Sequence, residues 1–346
     1  MSNPNRLSAN DLFTPSQLAE VRKRSDWKGI ALVAHAWGTI IAAMALVAIF
    51  PNPITYLAAV AIIGARQLGL AILMHDGAHG ILAENQKLNL FLSQWFCGYP
   101  MMAETLAYRR YHLKHHASTQ QPDDPDLILS APFPITKKSL RRKIFRDLTG
   151  QTGYQQRKAQ ILNAFGPKDL PLKDRLTRYW KRLGRATVAQ FVIFGLLWAA
   201  GHPLYYLTLW LVPFLTWQQM VTRLRNIAEH AVLPDNNDPF RNARTTLVNW
   251  AERAFIAPYW VNYHVEHHLA MWIPCHQLPK AHAYLIANGF GDRIEQKDGY
   301  AEVIRLATSK PDSDDSRGAL IHKSRRERVA GSQNEGFRAS GNADAA

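Results

Sequence analysis

The chain is short of cysteine and of acidic residues. Only two cysteines, Cys97 and Cys275, occur among its 346 residues, and they are too far apart in sequence to form a CxxC pair. This excludes a disulfide scaffold, a cysteine-type zinc site and an iron–sulfur centre. Lysine and arginine number 41 against 27 aspartates and glutamates, which gives a net charge of +14. The excess predicts an anionic partner, for which nucleic acid and a membrane surface are the usual candidates.

Charge is also missing from several long apolar stretches. Residues 29–50 contain no Asp, Glu, Lys or Arg, and residues 54–74 contain one charge, Arg66. Because a membrane-spanning helix needs about 20 apolar residues, these two stretches predict a transmembrane hairpin that turns at residues 51–53. Two later uncharged stretches predict a second hairpin, with helices over residues 186–201 and 203–222.

The distribution of Lys and Arg predicts which side of the membrane each segment faces. The turns at 51–53 and 201–203 carry no charged residue, whereas the segments outside the hairpins carry the basic residues. By the positive-inside rule those segments are cytoplasmic, and the membrane spans make nucleic acid an unexpected partner. The predicted fold is therefore an all-α membrane protein with four transmembrane helices in two hairpins and a cytosolic helical cap. Its predicted parts are a cytosolic N-terminal segment (1–28), a membrane domain (29–222) with a cytosolic insertion (104–185), a cytosolic cap (223–308) and a disordered tail (309–346).

Eight of the 14 histidines lie in three short clusters. The first cluster is a pair four residues apart, and the other two share the spacing HxxHH. On a helix, offsets of three and four place side chains on one face, with about 5–6 Å between neighbouring Cβ atoms. Because all three clusters are predicted on the cytoplasmic side, they can meet. The eight residues are His75 and His79, then His112, His115 and His116, then His264, His267 and His268.

The number of clustered histidines predicts a centre with two metals. Eight imidazoles exceed the four ligands of one tetrahedral zinc ion. Imidazole ligation without thiolate suits iron, copper or zinc. A membrane location favours redox work on a lipid-soluble substrate, and removing hydrogen from an unactivated methylene needs an oxidant that iron with O₂ can supply. A non-redox zinc hydrolase or a metal-handling membrane protein is the alternative from another class.

The histidine clusters resemble the three histidine boxes of the integral-membrane fatty acid desaturase/hydroxylase superfamily. The matching motifs are HDGAH at 75–79, HLKHH at 112–116 and NYHVEHH at 262–268. Their order and their placement after paired apolar helices also match, and the resemblance covers roughly residues 29–290. It implies a cytosolic catalytic cap that holds two non-haem irons, and it implies the use of O₂ and external electrons. The implied activity is fatty acyl desaturation, with hydroxylation of an acyl chain, a carotenoid or a sterol as the closest alternative.

The same resemblance implies a ninth ligand after the last predicted span. His230 matches that position, and Asn226, four residues earlier, would hold a water on the metal. No catalytic residue beyond the metal centre is expected. Because the chain has no HPGG motif and no cysteine motif, electrons are expected from a separate carrier such as ferredoxin or cytochrome b5. The acyl length, the bond position and the carrier of the acyl chain (lipid, coenzyme A or acyl-carrier protein) stay open.

Several polar residues near the clusters allow simpler roles. Asp76 and Glu266 lie inside two of the boxes and are candidates to orient ligand histidines through hydrogen bonds, with plain solvation as the alternative for either. Asp124 belongs to a proline-bounded acidic turn, for which a structural role is the simplest interpretation. His282 matches no box and is left outside the predicted site.

Overall fold

The computed structural model describes residues 7–311 and is mostly helical. The predicted tail therefore lies, from residue 312 onward, outside the described residues. The chain begins with two short helices and continues into two long ones: α1 Ala9–Leu12, α2 Pro15–Val21, α3 Asp26–Ile49 and α4 Pro53–His79. Asn52 stabilises the turn before α4, because its side chain accepts hydrogen bonds from the N–H groups of Ile54 and Thr55.

Helices α3 and α4 form the first predicted hairpin. Within residues 7–311 they are the two helices that are long and apolar enough to cross a membrane, a conclusion that rests on length and composition. Helix α3 exposes large apolar side chains such as Ile41 and Ile49, whereas most side chains in the second half of α4 are buried against other helices. Helix α4 is therefore the central helix of the fold.

The segment after α4 is helical but irregular. A π-helical turn, Leu92–Gly98, and a 3₁₀ turn, Tyr99–Met101, interrupt it, and the second histidine cluster lies on the helix that follows them. The helices of this segment are α5 Gln86–Phe91, α6 Thr105–Ala117, α7 Leu127–Ser130, α8 Lys137–Leu148 and α9 Gln151–Phe165.

The second predicted hairpin has one long arm and one broken arm. Its first arm is α10 Leu172–Ala199, one continuous helix that begins in the basic segment and extends into the predicted span. The return arm consists of a π-helical turn, Tyr206–Leu211, and two helices, α11 Val212–Leu215 and α12 Trp217–His230. The break lies at Thr216 (φ −118°, ψ −87°), shortly after Pro213, which cannot donate a backbone hydrogen bond. The four-span topology stays a prediction.

The C-terminal part departs from an all-α fold by one small sheet. Strands β1 Thr245–Leu247 and β2 Gln296–Asp298 pair in parallel, with Thr245 opposite Gln296. Three residues are too few to show the period-two alternation of a strand, which is why the sequence did not predict them. The helices around this sheet are α13 Trp250–Phe255, α14 His264–Leu269, α15 Leu278–Leu285 and α16 Gly299–Ala307. Short 3₁₀ or π turns lie at Pro258–Trp260, Cys275–Gln277, Ile286–Phe290 and Gly291–Arg293.

Gly77 allows α4 to approach the π-helical turn closely. A Cβ atom at this position would lie 2.0 Å from the Cβ of Ser93, far inside contact distance. The Gly77 carbonyl also accepts a hydrogen bond of 2.9 Å from the side chain of Asn89. Because Gly77 lies between His75 and His79, this contact positions the first histidine cluster.

We expect Gly77→Ala to lower the free energy of unfolding by about 1–3 kcal/mol, since the added methyl group overpacks a closed contact. Gly38→Ala is the matched control, because a Cβ there has no neighbour within 4 Å and the alanine favours the helix by up to about 1 kcal/mol. Thermal unfolding of the detergent-purified variants measures both. Equal stability of the two variants would contradict the proposed contact.

Candidate metal centre

Nine histidines from four helices form two adjoining groups. Group one contains five of them and group two contains four, and all nine are buried or half-buried. Within each group, one ring nitrogen of every histidine lies within 4.8 Å of the others. Group one is His75, His79, His112, His116 and His267, and group two is His115, His230, His264 and His268. The structure therefore brings together every histidine that the sequence assigned to the site.

The HxxHH spacing divides each cluster between the two groups. On α6, His112 and His116 face group one, while His115 faces group two. On α14 the assignment is reversed, since His264 and His268 belong to group two and His267 to group one. On a helix, the residues at positions i and i+4 point in nearly the same direction, whereas the residue at i+3 points to one side of them. Helices α6 and α14 therefore hold both groups at once.

Helix α12 brings His230 to group two by crossing α4 closely. A Cβ atom on Gly64 of α4 would lie 2.8 Å from the Cβ of Trp217, at the start of α12. The helix then ends at His230, where the buried guanidinium of Arg244 binds the last turn. Arg244 pairs with Glu295 at 3.0 Å and donates to the carbonyl oxygens of Ala228, Ala231 and Val232. These contacts satisfy carbonyls that a helix end leaves without partners.

The ring nitrogens converge at distances that suit shared metal ions. In group one, His267 Nε2 lies 3.0 Å from Nε2 of both His75 and His116. In group two, His264 Nε2 lies 2.8 Å from His230 Nε2 and 3.1 Å from His268 Nε2. A single Nε2 atom has either one N–H or one lone pair, so a hydrogen bond can account for only one of its two short contacts in each group. Two nitrogens about 2.1 Å from one ion, at a right angle, lie about 3 Å apart.

One buried nitrogen in group one has no partner. His79 Nε2 makes no hydrogen bond to any of residues 7–311, although it is inaccessible to solvent. Leaving such a group unsatisfied costs about 1–3 kcal/mol, a cost that metal coordination removes. The donor set of both groups consists of imidazole nitrogen, which suits iron, copper or zinc. The residues present thus fit bound metal.

Burial favours the neutral form of six of the clustered imidazoles. It lowers the pKa of each of six histidines well below the ordinary value, and like charge on neighbouring histidines acts in the same direction. Neutral imidazole is the form that binds metal, so the groups are ready to bind at neutral pH. The six are His112, His116, His230, His264, His267 and His268.

Asp124 orients one of the group-two histidines. Its Oδ1 atom lies 2.8 Å from His115 Nδ1, and the buried carboxylate also accepts the N–H groups of Gln120 and Asp126, each at 2.8 Å. A carboxylate at Nδ1 selects the tautomer whose Nε2 lone pair faces the metal. The interpretation of Asp124 as turn-forming was therefore incomplete. The sequence feature that could have indicated this role is the acidic turn, which starts a few residues after the HxxHH cluster.

Other histidines have weaker outer partners. The Thr119 hydroxyl donates to the His115 carbonyl at 2.9 Å, which leaves its oxygen free to accept from His268 Nδ1 at 3.3 Å. Asp76 Oδ1 lies 3.4 Å from His75 Nδ1, while its other oxygen accepts the N–H of Cys275 at 2.9 Å. Asp76 thus has the contact expected of it, at a long distance.

Glu266 forms no hydrogen bond with any of the nine clustered histidines, contrary to the expectation from its place in the third box. It accepts hydrogen bonds from Thr245 Oγ1 and His282 Nδ1, both at 2.5 Å. Because Glu266 follows His264 by two residues, it points to the far side of α14. Its role is to fasten α14 to β1 and α15. His282, which the sequence left outside the site, belongs to this support.

A carboxylate that the sequence did not single out faces group two. Glu229 Oε2 lies 3.5 Å from His264 Nε2, and its other oxygen pairs with Arg225 at 2.6 Å. Burial raises the pKa of Glu229 to about 7, although Arg225 acts in the opposite direction. The sequence feature that could have indicated Glu229 is its position directly before His230.

Asn226 is half-buried one turn before His230, and its amide forms no hydrogen bond with another residue in the range 7–311.

Comparisons with known proteins agree with this geometry. Residues 51–293 match the family model described as Fatty acid desaturase. The chain is also 29% identical over 303 residues to the dihydrorhizobitoxine desaturase of Bradyrhizobium elkanii, an alignment that covers 83% of this chain and 80% of that protein. The region matched by the family model includes all nine histidines.

Proposed function

This chain belongs to the fatty acid desaturase family, and we propose that it is a membrane enzyme that introduces a double bond into a fatty acyl chain with O₂ and two irons. The observation that carries this proposal is the pair of buried all-imidazole groups that share α6 and α14. Bound iron, together with O₂, would supply the oxidising power that removal of two hydrogens from adjacent methylenes requires. The family relation makes the enzyme an oxidoreductase of desaturase type.

The protein's own part is to hold and isolate the centre. The five histidines of group one would hold one iron, and the four of group two would hold the other, with Asn226 in contact through a water. Asp124, Thr119 and Asp76 orient ligand histidines at Nδ1. Burial limits the access of water to the imidazoles, and for the six histidines named above it favours the neutral form that binds metal.

Ligand number argues against the zinc alternative. Zinc in proteins takes four ligands in structural sites, and in catalytic sites three protein ligands with one open position. Group one offers five imidazoles and lies beside a second group of four. Two adjoining, nitrogen-rich groups of this size suit a redox pair of irons better than a single hydrolytic zinc.

We place the enzyme in a membrane, with the histidines on the cytoplasmic side. Large apolar side chains are exposed on α3 and again on α10, where Phe191, Leu196 and Trp198 are each more than 60% accessible. Exposed apolar surface of this extent is unfavourable in water and suits lipid. The insertion 104–185 and the cap 223–308 would then be cytoplasmic, where an electron carrier such as ferredoxin or cytochrome b5 can reach them.

Expression in a host of known lipid composition, followed by mass spectrometry of the lipids, tests the proposal. Desaturation lowers the mass of an acyl chain by two hydrogens, whereas the closest alternative, hydroxylation, adds one oxygen to an acyl chain, a carotenoid or a sterol. A His264→Ala/His268→Ala variant provides the inactive control. Full activity of a preparation free of iron would refute the proposal.

A second candidate function is desaturation of dihydrorhizobitoxine. It is favoured by the named relative, which aligns with most of this chain. Feeding dihydrorhizobitoxine to the same expression host decides between the candidates. Conversion of the added compound without any change in host acyl chains would show that dihydrorhizobitoxine, and not an acyl chain, is the substrate.

A further inference from the structure

An open cleft of about 620 Å³ is lined in part by the segments that follow two histidine-bearing helices, α4 and α14. Three different parts of the chain line it. The segment between α2 and α3 contributes three consecutive basic residues, the loop after α4 contributes one carboxylate, and the segment after α14 contributes an indole ring. The lining residues are Arg22, Lys23, Arg24, Glu84 and Trp272.

Two walls of the cleft are short extensions of helices that carry the metal centre. Trp272 follows His268 by four residues, and Glu84 follows His79 by five. Since an extended chain advances at most about 3.6 Å per residue, their Cα atoms lie within about 14 Å and 18 Å of those histidines. The wall formed by the basic residues is joined to the wall formed by Glu84, because Asp26 Oδ1 accepts hydrogen bonds from the N–H groups of Glu84 and Asn85, each at 2.8 Å.

The cleft carries an excess of positive charge. Three cations face one carboxylate, and none of Arg22, Lys23 and Arg24 forms an ion pair within residues 7–311. The Arg22 guanidinium lies 4.3 Å from the centroid of the Trp272 ring, which is itself held edge-on by Phe13. A stacked guanidinium keeps the N–H groups at its edge free to bind oxygen, and two parallel N–H groups match phosphate. The cleft is therefore suited to a phosphate-bearing ligand.

The position of the cleft along the chain indicates where that ligand comes from. Trp27, three residues after Arg24, has 74% of its surface exposed at the start of α3, the first candidate membrane span. Tryptophan is typical of the membrane–water boundary, so the three cations that precede it lie at the level of lipid head groups.

We propose that this cleft binds the phosphate of a membrane phospholipid and that an acyl chain of that lipid is the substrate. The proposal rests on the acyl-desaturase function above, because it names the carrier of the acyl chain. Binding of the head group here would place the lipid beside the metal centre, with its chains directed into the membrane.

Native mass spectrometry of the delipidated, full-length protein titrated with phosphatidylglycerol tests the proposal. Replacing Arg22, Lys23 and Arg24 together by glutamine is expected to weaken binding about 100-fold, which corresponds to about 1 kcal/mol for each basic residue near the membrane surface. The matched control replaces Lys137, Lys138 and Arg141 of α8, which are equally basic, exposed and outside the cleft. Arg22→Lys, which keeps the charge but loses the planar stack, is expected to retain only part of the affinity.

The measurement does not involve turnover, so loss of lipid binding and loss of desaturation are observed independently. Equal affinity of the cleft variant and the α8 control would overturn the proposal. Parallel titrations with an acyl-coenzyme A and with inorganic phosphate separate the possible sources of phosphate. If the cleft variant loses acyl-coenzyme A binding while phosphatidylglycerol binding is unchanged, the lipid assignment is wrong and a soluble carrier takes its place.

Discussion

Replacing His267 by alanine is expected to remove the iron of group one and to lower desaturation by more than about 100-fold. His267 Nε2 lies 3.0 Å from two other ring nitrogens of its group, those of His75 and His116. Loss of an outer partner of a metal ligand already costs 10–100-fold in affinity or activity, so loss of the ligand itself costs more. Because α14 also holds His264 and His268, the iron of group two is expected to be retained less firmly.

His202→Ala is the control for this substitution. His202 lies in the turn after α10, is exposed and stacks on Tyr205, and it belongs to neither group. It should leave two irons per chain and full activity. Iron content by mass spectrometry and desaturation of host lipids are measured on the same membranes. A His267→Ala protein with two irons and normal activity would show that His267 is not part of the metal centre.

The second large effect is expected at Asp124, a residue that would touch no metal. Two oxygens of this buried carboxylate accept three donors, and His115 Nδ1 is one of them. Asp124→Asn keeps the size of the side chain but leaves one accepting oxygen and no charge. At least one donor then loses its partner, and His115 is held less firmly. We expect group two to bind iron about 10–100-fold more weakly.

Asp123→Asn is the matched control, since Asp123 is the exposed neighbour of Asp124 and its carboxylate makes no hydrogen bond or ion pair within residues 7–311. A chelator titration of the purified proteins measures iron retention. The Asp124 variant should release part of its iron at a lower chelator concentration than the Asp123 variant. Release at the same concentration from both would show that Asp124 has a purely structural role in the turn.

The histidines were predictable because their spacing is a local property. An HxxHH motif on a helix needs no knowledge of the fold, and the charge distribution predicts that all three clusters lie on one side of a membrane. His230 stands alone in its segment, so only the family resemblance singled it out. The division of the two HxxHH clusters between the groups was not predictable, because it depends on how α6 and α14 face each other across the centre.

The supporting residues were harder to predict because their partners are distant in sequence or set by a turn. Glu266 lies in a box, yet its partners His282 and Thr245 come from a helix and a strand that only the fold brings together. The return arm of the second hairpin shows the same limit. Residues 203–222 carry no charge and were predicted as one helix, but Pro213 and the backbone at Thr216 break this stretch into short helices.

The distance along the chain between ligands has a consequence for how the protein is made. His75 and His267 are 192 residues apart, and His116 and His267 are 151 apart. At a synthesis rate of about 5–20 residues per second, the first cluster waits about 10–40 s before α14 leaves the ribosome. No segment of the nascent chain can assemble group one alone. Group one can therefore be complete only once α14 has been synthesised, and any metal bound before that stage would lack His267 as a ligand.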